Sequence, residues 1–208
     1  TIDYYGRWKA AHYAVKNVYE NIFLSIRKTQ HGIKLCVVND ETYDIEGTLE
    51  LVVMSLDGNI FHKSEVSISV DALDKTESLL DNSTLTADAK KDNLVLVSKL
   101  KEGGGILAQR NFHWVETNAL KLPKPAILID IQKAFSEVSS PLEYDIHISS
   151  DSFVKSLVLT TPSDGRFSDN YIDIIPGEKC TVKFMPNELW DKNLLLTHYQ
   201  DVSGGGKQ

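Results

Sequence analysis

The residue types that perform catalysis occur in this sequence, but not at the spacings of established catalytic motifs. Of the 208 residues, 29 are acidic, six are histidines and two are cysteines. Two carboxyl groups held about 5–10 Å apart can cleave a glycosidic bond, and the candidate pairs are Glu41 with Glu46 and Asp169 with Asp173. Because 29 acidic side chains produce close pairs by chance, we interpret both pairs as solvated surface residues.

Motifs for nucleophilic, metal-dependent and phosphate chemistry are missing from the sequence. It contains no G-x-S-x-G, H-E-x-x-H or C-x-x-C motif and no phosphate-binding loop. The three consecutive glycines Gly103, Gly104 and Gly105 lie between two predicted strands and precede no helix, which favours a hairpin turn. We therefore predict no catalytic residue, no metal site and no cofactor in this chain.

The histidines and cysteines occupy positions typical of structural residues. His12 lies on the apolar face of a predicted helix, which favours packing, and His147 lies on the polar face of a strand, which predicts exposure. Cys180 is in phase with the apolar residues of its strand, so we expect a buried, unreactive thiol. Cys36 belongs to a different predicted domain, and a disulfide between the two cysteines is not expected.

Aromatic side chains suggest one alternative function, because exposed rings on a β-sandwich can stack on sugars. The candidates are Trp114, Trp190, Tyr171 and Tyr199. Large aromatic residues more often fill sandwich cores and domain boundaries, and we favour that interpretation. Asn82-Ser83-Thr84 is a glycosylation sequon, which has meaning only in a eukaryotic secretory pathway.

Helical spacing of apolar residues occurs only at the start of the chain. Between Asp3 and Glu20, one face carries Trp8, Ala11, His12, Val15 and Tyr19. This spacing predicts an amphipathic helix with Asp3 as its cap.

After Asn21 the apolar residues alternate with a period of two, which is typical of strands. About seven short strands with intervening turns, including Asp57-Gly58-Asn59, predict a first β-sandwich, and a second strand series begins at Ala126. The prolines of Leu122–Pro125 indicate a stiff connector. The predicted division is a terminal helix at 1–21, a sandwich at 22–117, a proline-containing linker at 118–124, a second sandwich at 125–203 and a flexible tail at 204–208.

Charge and hydropathy argue against two classes of partner. The formal net charge is −7, so a nucleic-acid partner is not expected. The longest apolar runs, Leu94–Val97 and Leu194–Leu196, are far shorter than the roughly 20 residues of a membrane span, so no membrane insertion is predicted. The chain opens at Thr1 without an initiator methionine or signal peptide, from which we expect a piece of a longer protein.

Three segments resemble the β-mannosidases of glycoside hydrolase family 2. Residues 3–13, D-Y-Y-G-R-W-K-A-A-H-Y, are similar to the last helix of their catalytic barrel, which commonly reads close to D-Y-x-G-R-W-K-x-L-H-Y. Ala11 stands where the family often has leucine. Residues 120–125, L-K-L-P-K-P, resemble the link between two C-terminal immunoglobulin-like domains, and residues 168–178, S-D-N-Y-I-D-I-I-P-G-E, resemble the end of the last domain.

The resemblance implies a mainly β fold, with two tandem immunoglobulin-like β-sandwiches preceded by one short α-helix. The parent would hydrolyse terminal β-linked mannose with retention, using two glutamates on a barrel upstream of Thr1. The implied partner is the parent's own catalytic barrel, within the same polypeptide, and mannose-containing glycans would be bound through the parent. The side chains expected to pack on that barrel are Tyr4, Tyr5, Trp8, His12 and Tyr13. The compartment is not assigned, and the resemblance is compatible with a periplasmic, secreted or lysosomal parent.

Three functions remain open at this point: a non-catalytic accessory region of a β-mannosidase, a carbohydrate-binding module, and an adhesion-type tandem immunoglobulin protein. The opening helix argues against the third, because a tandem adhesin does not need it. The chain by itself is predicted to be inactive. Separated from a barrel, the helix is expected to expose its aromatic residues or to pack them on the first sandwich, leaving an apolar patch available for self-association.

Overall fold

The N-terminal helix is shorter than the sequence predicts. The computed structural model describes residues 2–4, 7–81, 85–86, 89–134 and 142–203, and helix α1 spans Ala10–Val18. Before it, Ile2 and Trp8 form an isolated antiparallel bridge. The Asp3 carboxylate accepts hydrogen bonds from the backbone N and the Nε of Arg7, both at 2.9 Å. Asp3 therefore closes a turn ahead of the helix instead of capping it, because this local side-chain bonding competes with helix formation.

The first sandwich lies within residues 18–121, which form one compact unit. Its seven strands are β1 (Ile22–Thr29), β2 (Gly32–Asn39), β3 (Ile45–Ser55), β4 (Ile60–Val70), β5 (Asp74–Leu80), β6 (Leu94–Glu102) and β7 (Gly105–Phe112). They form two antiparallel sheets, ordered β1-β2-β5 and β4-β3-β6-β7. Inward-facing aliphatic residues such as Leu35, Leu51 and Leu96 fill the space between the sheets.

The turns of this sandwich follow the glycine pattern of the sequence. Glu102 pairs with Gly105, and the two residues between them, Gly103 and Gly104, have φ of 56° and 85°. Positive φ at both central residues is the requirement of a two-residue hairpin turn whose twist matches the strands. The glycine run is therefore a hairpin, as expected.

The second unit combines Thr1–Asn17 with Leu122–Gln208. Its strands are β8 (Ile127–Lys133), β9 (Tyr144–Ser150), β10 (Val154–Thr160), β11 (Gly165–Phe167), β12 (Ile172–Ile174), β13 (Cys180–Pro186) and β14 (Leu195–Thr197). They form antiparallel sheets ordered β11-β13-β9-β8 and β12-β10-β14, around a core that includes Ile146, Phe184 and Trp190. Soon after the last of these strands, helix α2 begins at Tyr199 and ends at Ser203.

The segment predicted as a linker begins with a 3₁₀ turn at Thr117–Ala119, and residues 120–126 have no regular secondary structure. Lys121 is fixed to the first sandwich, because its backbone N donates to Asp92 O at 2.8 Å and its Nζ lies 2.7 Å from the Asp92 carboxylate. The sequon at Asn82-Ser83-Thr84 and the predicted tail at 204–208 lie outside the described residues. No helix among the described residues is long and apolar enough to cross a membrane.

Candidate functional site

The N-terminal segment packs against the second sandwich. Tyr13 is 4% exposed, and the centroid of its ring lies 6.0 Å from that of Tyr171. One turn along α1, Lys16 Nζ donates a hydrogen bond to Ser168 O at 3.0 Å. Tyr13 is therefore covered by the second sandwich, a partner that the sequence did not suggest, whereas Tyr4 is exposed as expected.

Trp8 joins this contact through a stack of side chains. The Trp8 ring centroid is 4.0 Å from the His12 ring centroid. The guanidinium carbon of Arg166 on β11 lies 5.1 Å from the Trp8 ring centroid. Tyr13 meets the same indole edge-on at 5.4 Å. A guanidinium over an indole ring is stabilised by about 0.5–1 kcal/mol at an exposed site, so Arg166 helps to hold the segment that precedes α1.

The loop that receives Tyr13 is fixed by one buried amide. Asn170 Nδ2 donates to Leu159 O and Asn170 Oδ1 accepts from Leu159 N, both at 2.8 Å, as a strand neighbour would. The next residue, Tyr171, has φ of 58°, a left-handed conformation that costs an L-residue about 1–2 kcal/mol. Burial raises the pKa of the Tyr13 phenol, and the nearby Asp169 carboxylate raises it further.

Helix α1 is apolar on the side that faces away from the second sandwich as well. At 100° per residue, Ala11, Val15 and Val18 lie about 140–160° around the helix from Tyr13, and Ala14 lies about 100° from it. All four are exposed. Val15 and Val18 are 54% and 58% exposed. We call these four residues the outer face of α1.

The five residues predicted to pack on a barrel have different environments. Tyr4 is 96% exposed, whereas Tyr13 is already buried against the second sandwich. Trp8 and His12 are half-buried, and Tyr5 lies outside the described residues. Contact with a barrel remains a prediction, and the structure adds the outer face of α1 to the surfaces that could make it.

A cleft of about 340 Å³ lies between the N-terminal segment and the second sandwich. Its described lining includes the charged residues Arg7, Lys9 and Arg166, the hydroxyl residues Thr160 and Ser163, and the ring of Tyr171. Asp3 also lines the cleft and is paired with Arg7 at 2.9 Å. We call this space the N-terminal cleft.

Three of the four carboxylates considered as catalytic pairs are engaged in local structure. Glu41 accepts a hydrogen bond from Asn21 Nδ2 at 2.9 Å. Asp173 lies 2.8 Å from Lys155 Nζ and accepts from the Ser156 backbone N at 3.0 Å. Asp169 accepts from the Asn170 backbone N at 2.8 Å. Through these contacts the three carboxylates stabilise loops and strand ends.

The histidines and cysteines form no metal-binding group. Among the described residues, no three or more His, Cys, Asp or Glu side chains converge in a way that could hold an ion. His147 is half-buried rather than exposed, with Nδ1 2.9 Å from Thr181 Oγ1 on the neighbouring strand. Cys180 is also half-buried, and partial burial with the nearby Asp169 charge raises its pKa to about 11.

The four candidate aromatics do not form a sugar-binding platform. Trp114 and Trp190 are 5% and 4% exposed and belong to the two sandwich cores. Trp190 Nε1 donates to Thr161 Oγ1 at 3.0 Å, which satisfies the polar end of the buried indole. Tyr199 is half-buried, whereas Tyr171 is 41% exposed at the N-terminal cleft.

One charged cluster was not anticipated from the sequence. Glu50 on β3 is 6% exposed, and its carboxylate lies 2.9 Å from both Lys63 Nζ on β4 and Lys101 Nζ on β6. Hydrogen bonds from these two lysines lower the pKa of Glu50 to about 2. The glutamate is a structural anion that joins three strands. The other residues of the stretch 49–54 are apolar, so a lone acid within that stretch was the available signal.

Comparisons with known proteins cover both sandwiches. A model described as a Mannosidase Ig/CBM-like domain matches residues 31–118, and the Ig_mannosidase model, described as an Ig-fold domain, matches residues 122–202. Beta-mannosidase B of Aspergillus niger is 29% identical over 206 residues, covering 88% of this chain and 23% of that protein. Beta-mannosidase A of Aspergillus flavus is 26% identical over 199 residues, covering 90% and 22%. The chain thus spans less than a quarter of these relatives.

Solved structures show the same fold. The β-D-mannosidase of Dictyoglomus thermophilum matches with a TM-score of 0.80 and 21% identity, over 95% of this chain and 24% of that one. An exo-chitosanase of Amycolatopsis orientalis matches with a TM-score of 0.70 and 12% identity, over 95% and 28%. The two domain models and the Aspergillus relatives place the chain in the immunoglobulin-like region of the glycoside hydrolase family 2 β-mannosidases.

Proposed function

We propose that this region is a non-catalytic support for the catalytic part of a retaining β-mannosidase that acts on terminal β-D-mannosides. The observation that carries the proposal is helix α1, which is apolar on two opposite sides. One side is occupied by the second sandwich through Tyr13, and the other side is exposed. The chain corresponds to less than a quarter of its mannosidase relatives, which leaves ample chain to cover the outer face.

The residues of the outer face suit a packed contact. Alanine and valine side chains are small, so a neighbouring element can approach to the 8–10 Å axial separation of packed helices. Burial of apolar surface contributes about 25 cal/mol per Å². The Lys16 contact with Ser168 fixes the rotation of α1, so the outer face points in one direction relative to the second sandwich.

We infer that the catalytic part of the same polypeptide occupies the outer face, and that Tyr4 belongs to this contact. Tyr13 and Trp8 then have a different role, since Tyr13 packs on Tyr171 and Trp8 lies under Arg166, which attaches the N-terminal segment to the second sandwich. His12 packs on Trp8. The helix would act as a rigid joint between the sandwich and the catalytic part. Catalysis itself would rest on two glutamates outside this chain.

The test compares two lysine substitutions in the full-length polypeptide that contains this region. Val15→Lys places a charge on the outer face, whereas Leu128→Lys is a control at a residue of β8 that is 71% exposed. We expect Val15→Lys to lower the melting temperature of the catalytic part and its turnover of a chromogenic β-mannoside, with no change from Leu128→Lys. Equal melting temperatures and equal turnover in the two full-length variants would contradict the proposal.

The alternative, a carbohydrate-binding sandwich that binds polysaccharide through exposed aromatics, is disfavoured by the burial of Trp114 and Trp190. Titration of the 208-residue chain with manno-oligosaccharides separates the two functions. A support region gives no saturable signal, whereas saturable binding would favour the alternative.

A further inference from the structure

We propose that the N-terminal cleft binds a sugar acid of monosaccharide size through Arg166 and Lys9. The cleft volume of about 340 Å³ falls within the range of small-molecule pockets, about 300–1,000 Å³. Its walls come from two separate parts of the chain, the segment before α1 and the second sandwich. This proposal is independent of the supporting role described above.

The charge of the cleft is opposite to that of the chain. The formal net charge of the protein is −7, yet the described lining carries three cations and one carboxylate. That carboxylate, Asp3, is paired with Arg7. Within the described part of the chain, neither Lys9 nor Arg166 has a carboxylate within the 4.0 Å of an ion pair. Two positive charges therefore remain for an anion.

Arg166 is oriented before any ligand arrives. Its guanidinium is held against the Trp8 ring at 5.1 Å, so its rotamer freedom is reduced. A guanidinium presents a planar fork of donors that matches a carboxylate in two parallel hydrogen bonds. An arginine that is fixed in advance loses less entropy when the bonds form.

The remaining lining favours a polyol over a purely apolar acid. The side chains of Thr160 and Ser163 carry hydroxyl groups that can bond to sugar hydroxyls, and the ring of Tyr171 forms one wall. Tyr171 is held in place by its left-handed backbone and by the Asn170 bonds to Leu159. The backbone that carries this wall is therefore fixed.

The same contacts argue against a neutral sugar that binds by stacking. The Trp8 indole already contacts His12 at 4.0 Å and Arg166 at 5.1 Å. A pyranose would have to displace one of these side chains in order to stack on the indole. Stacking on Trp8 is therefore disfavoured, and we assign recognition in this cleft to the carboxylate of the ligand.

The experiment is isothermal titration calorimetry of the 208-residue chain with D-glucuronate, D-glucose and inorganic phosphate. We expect saturable binding of glucuronate that weakens with added salt, and no binding of glucose. Equal affinity for glucose would overturn the carboxylate requirement, and equal affinity for phosphate would overturn the sugar requirement. Absence of saturation with glucuronate would overturn the proposal entirely.

Variants locate the binding site. Arg166→Gln and Lys9→Gln should each weaken glucuronate binding about tenfold or more, because a charged hydrogen bond contributes about 1.5–3 kcal/mol. Arg27→Gln is the matched control, because Arg27 is an exposed arginine of the first sandwich. An unchanged melting temperature verifies that each variant is folded. Because Arg166 lies over the Trp8 ring, Arg166→Gln can also displace that ring. In that case Lys9→Gln provides the test. Equal affinity of all three variants would refute the site.

Discussion

Substitution of Glu50 by glutamine should destabilise the first sandwich by about 2 kcal/mol at neutral pH. The two lysines lower the pKa of Glu50 from its ordinary value of 4.5 to about 2. Since one pKa unit corresponds to about 1.4 kcal/mol, the ion cluster contributes at most about 3 kcal/mol. Lys63 and Lys101 are 53% and 35% exposed, and solvent screening at these partners reduces the expected loss.

The lowered pKa of Glu50 predicts how its contribution to stability varies with pH. A carboxylate whose pKa is lowered by folding contributes its full stabilisation above the unfolded pKa of about 4.5. That stabilisation disappears as the pH falls toward about 2, because Glu50 is then protonated in both states. The difference between wild type and Glu50→Gln should therefore be largest at pH 7 and shrink between pH 4.5 and 2.

The assay is urea-dependent hydrogen exchange of the β3 and β6 amides, which reports on the first sandwich. Glu65→Gln is the control, because Glu65 is 54% exposed and lies 3.8 Å from the same Lys63. It should lower the free energy of unfolding by less than about 0.5 kcal/mol. The reasoning fails if Glu65→Gln costs as much as Glu50→Gln, or if the cost of Glu50→Gln does not change with pH.

Three further predictions concern the second unit. Tyr13→Ala should lower the free energy of unfolding by about 3 kcal/mol and make Trp8 accessible to acrylamide quenching. The control Tyr4→Ala, at a side chain that is 96% exposed, should leave the quenching unchanged. If neither variant changed the quenching, the packing of the N-terminal segment on the second sandwich would be contradicted. Asn170→Ala breaks both bonds to Leu159 and should cost about 2 kcal/mol, measured as a lower melting temperature of the second unit. Cys180 should react with iodoacetamide far more slowly at pH 8 than a free thiol, because a pKa of about 11 leaves little thiolate. Peptide mapping after labelling measures this rate, and rapid labelling of Cys180 would disprove the prediction.

The sandwiches were predictable because strand patterns are local. In the first sandwich, alternation of apolar residues indicated about seven strands, and the described residues between Ile22 and Phe112 form seven. The hairpin at Gly103 and Gly104 was predictable for a similar reason, since few other residues adopt two consecutive positive φ angles. The start of α1 was not predictable, because the bonds from Asp3 to Arg7 compete with the helix over the same residues.

The sequence alone determined the two tandem sandwiches, the mainly β class and the resemblance to β-mannosidases, because alternation and short motifs are properties of neighbouring residues. Only the tertiary structure decided which sandwich holds the N-terminal segment and which side of α1 stays exposed. When a helix carries apolar residues on opposite sides, its sequence does not specify which side packs against which partner. The cluster at Glu50 and the N-terminal cleft have the same physical origin, since residues that are distant in sequence meet there only after folding.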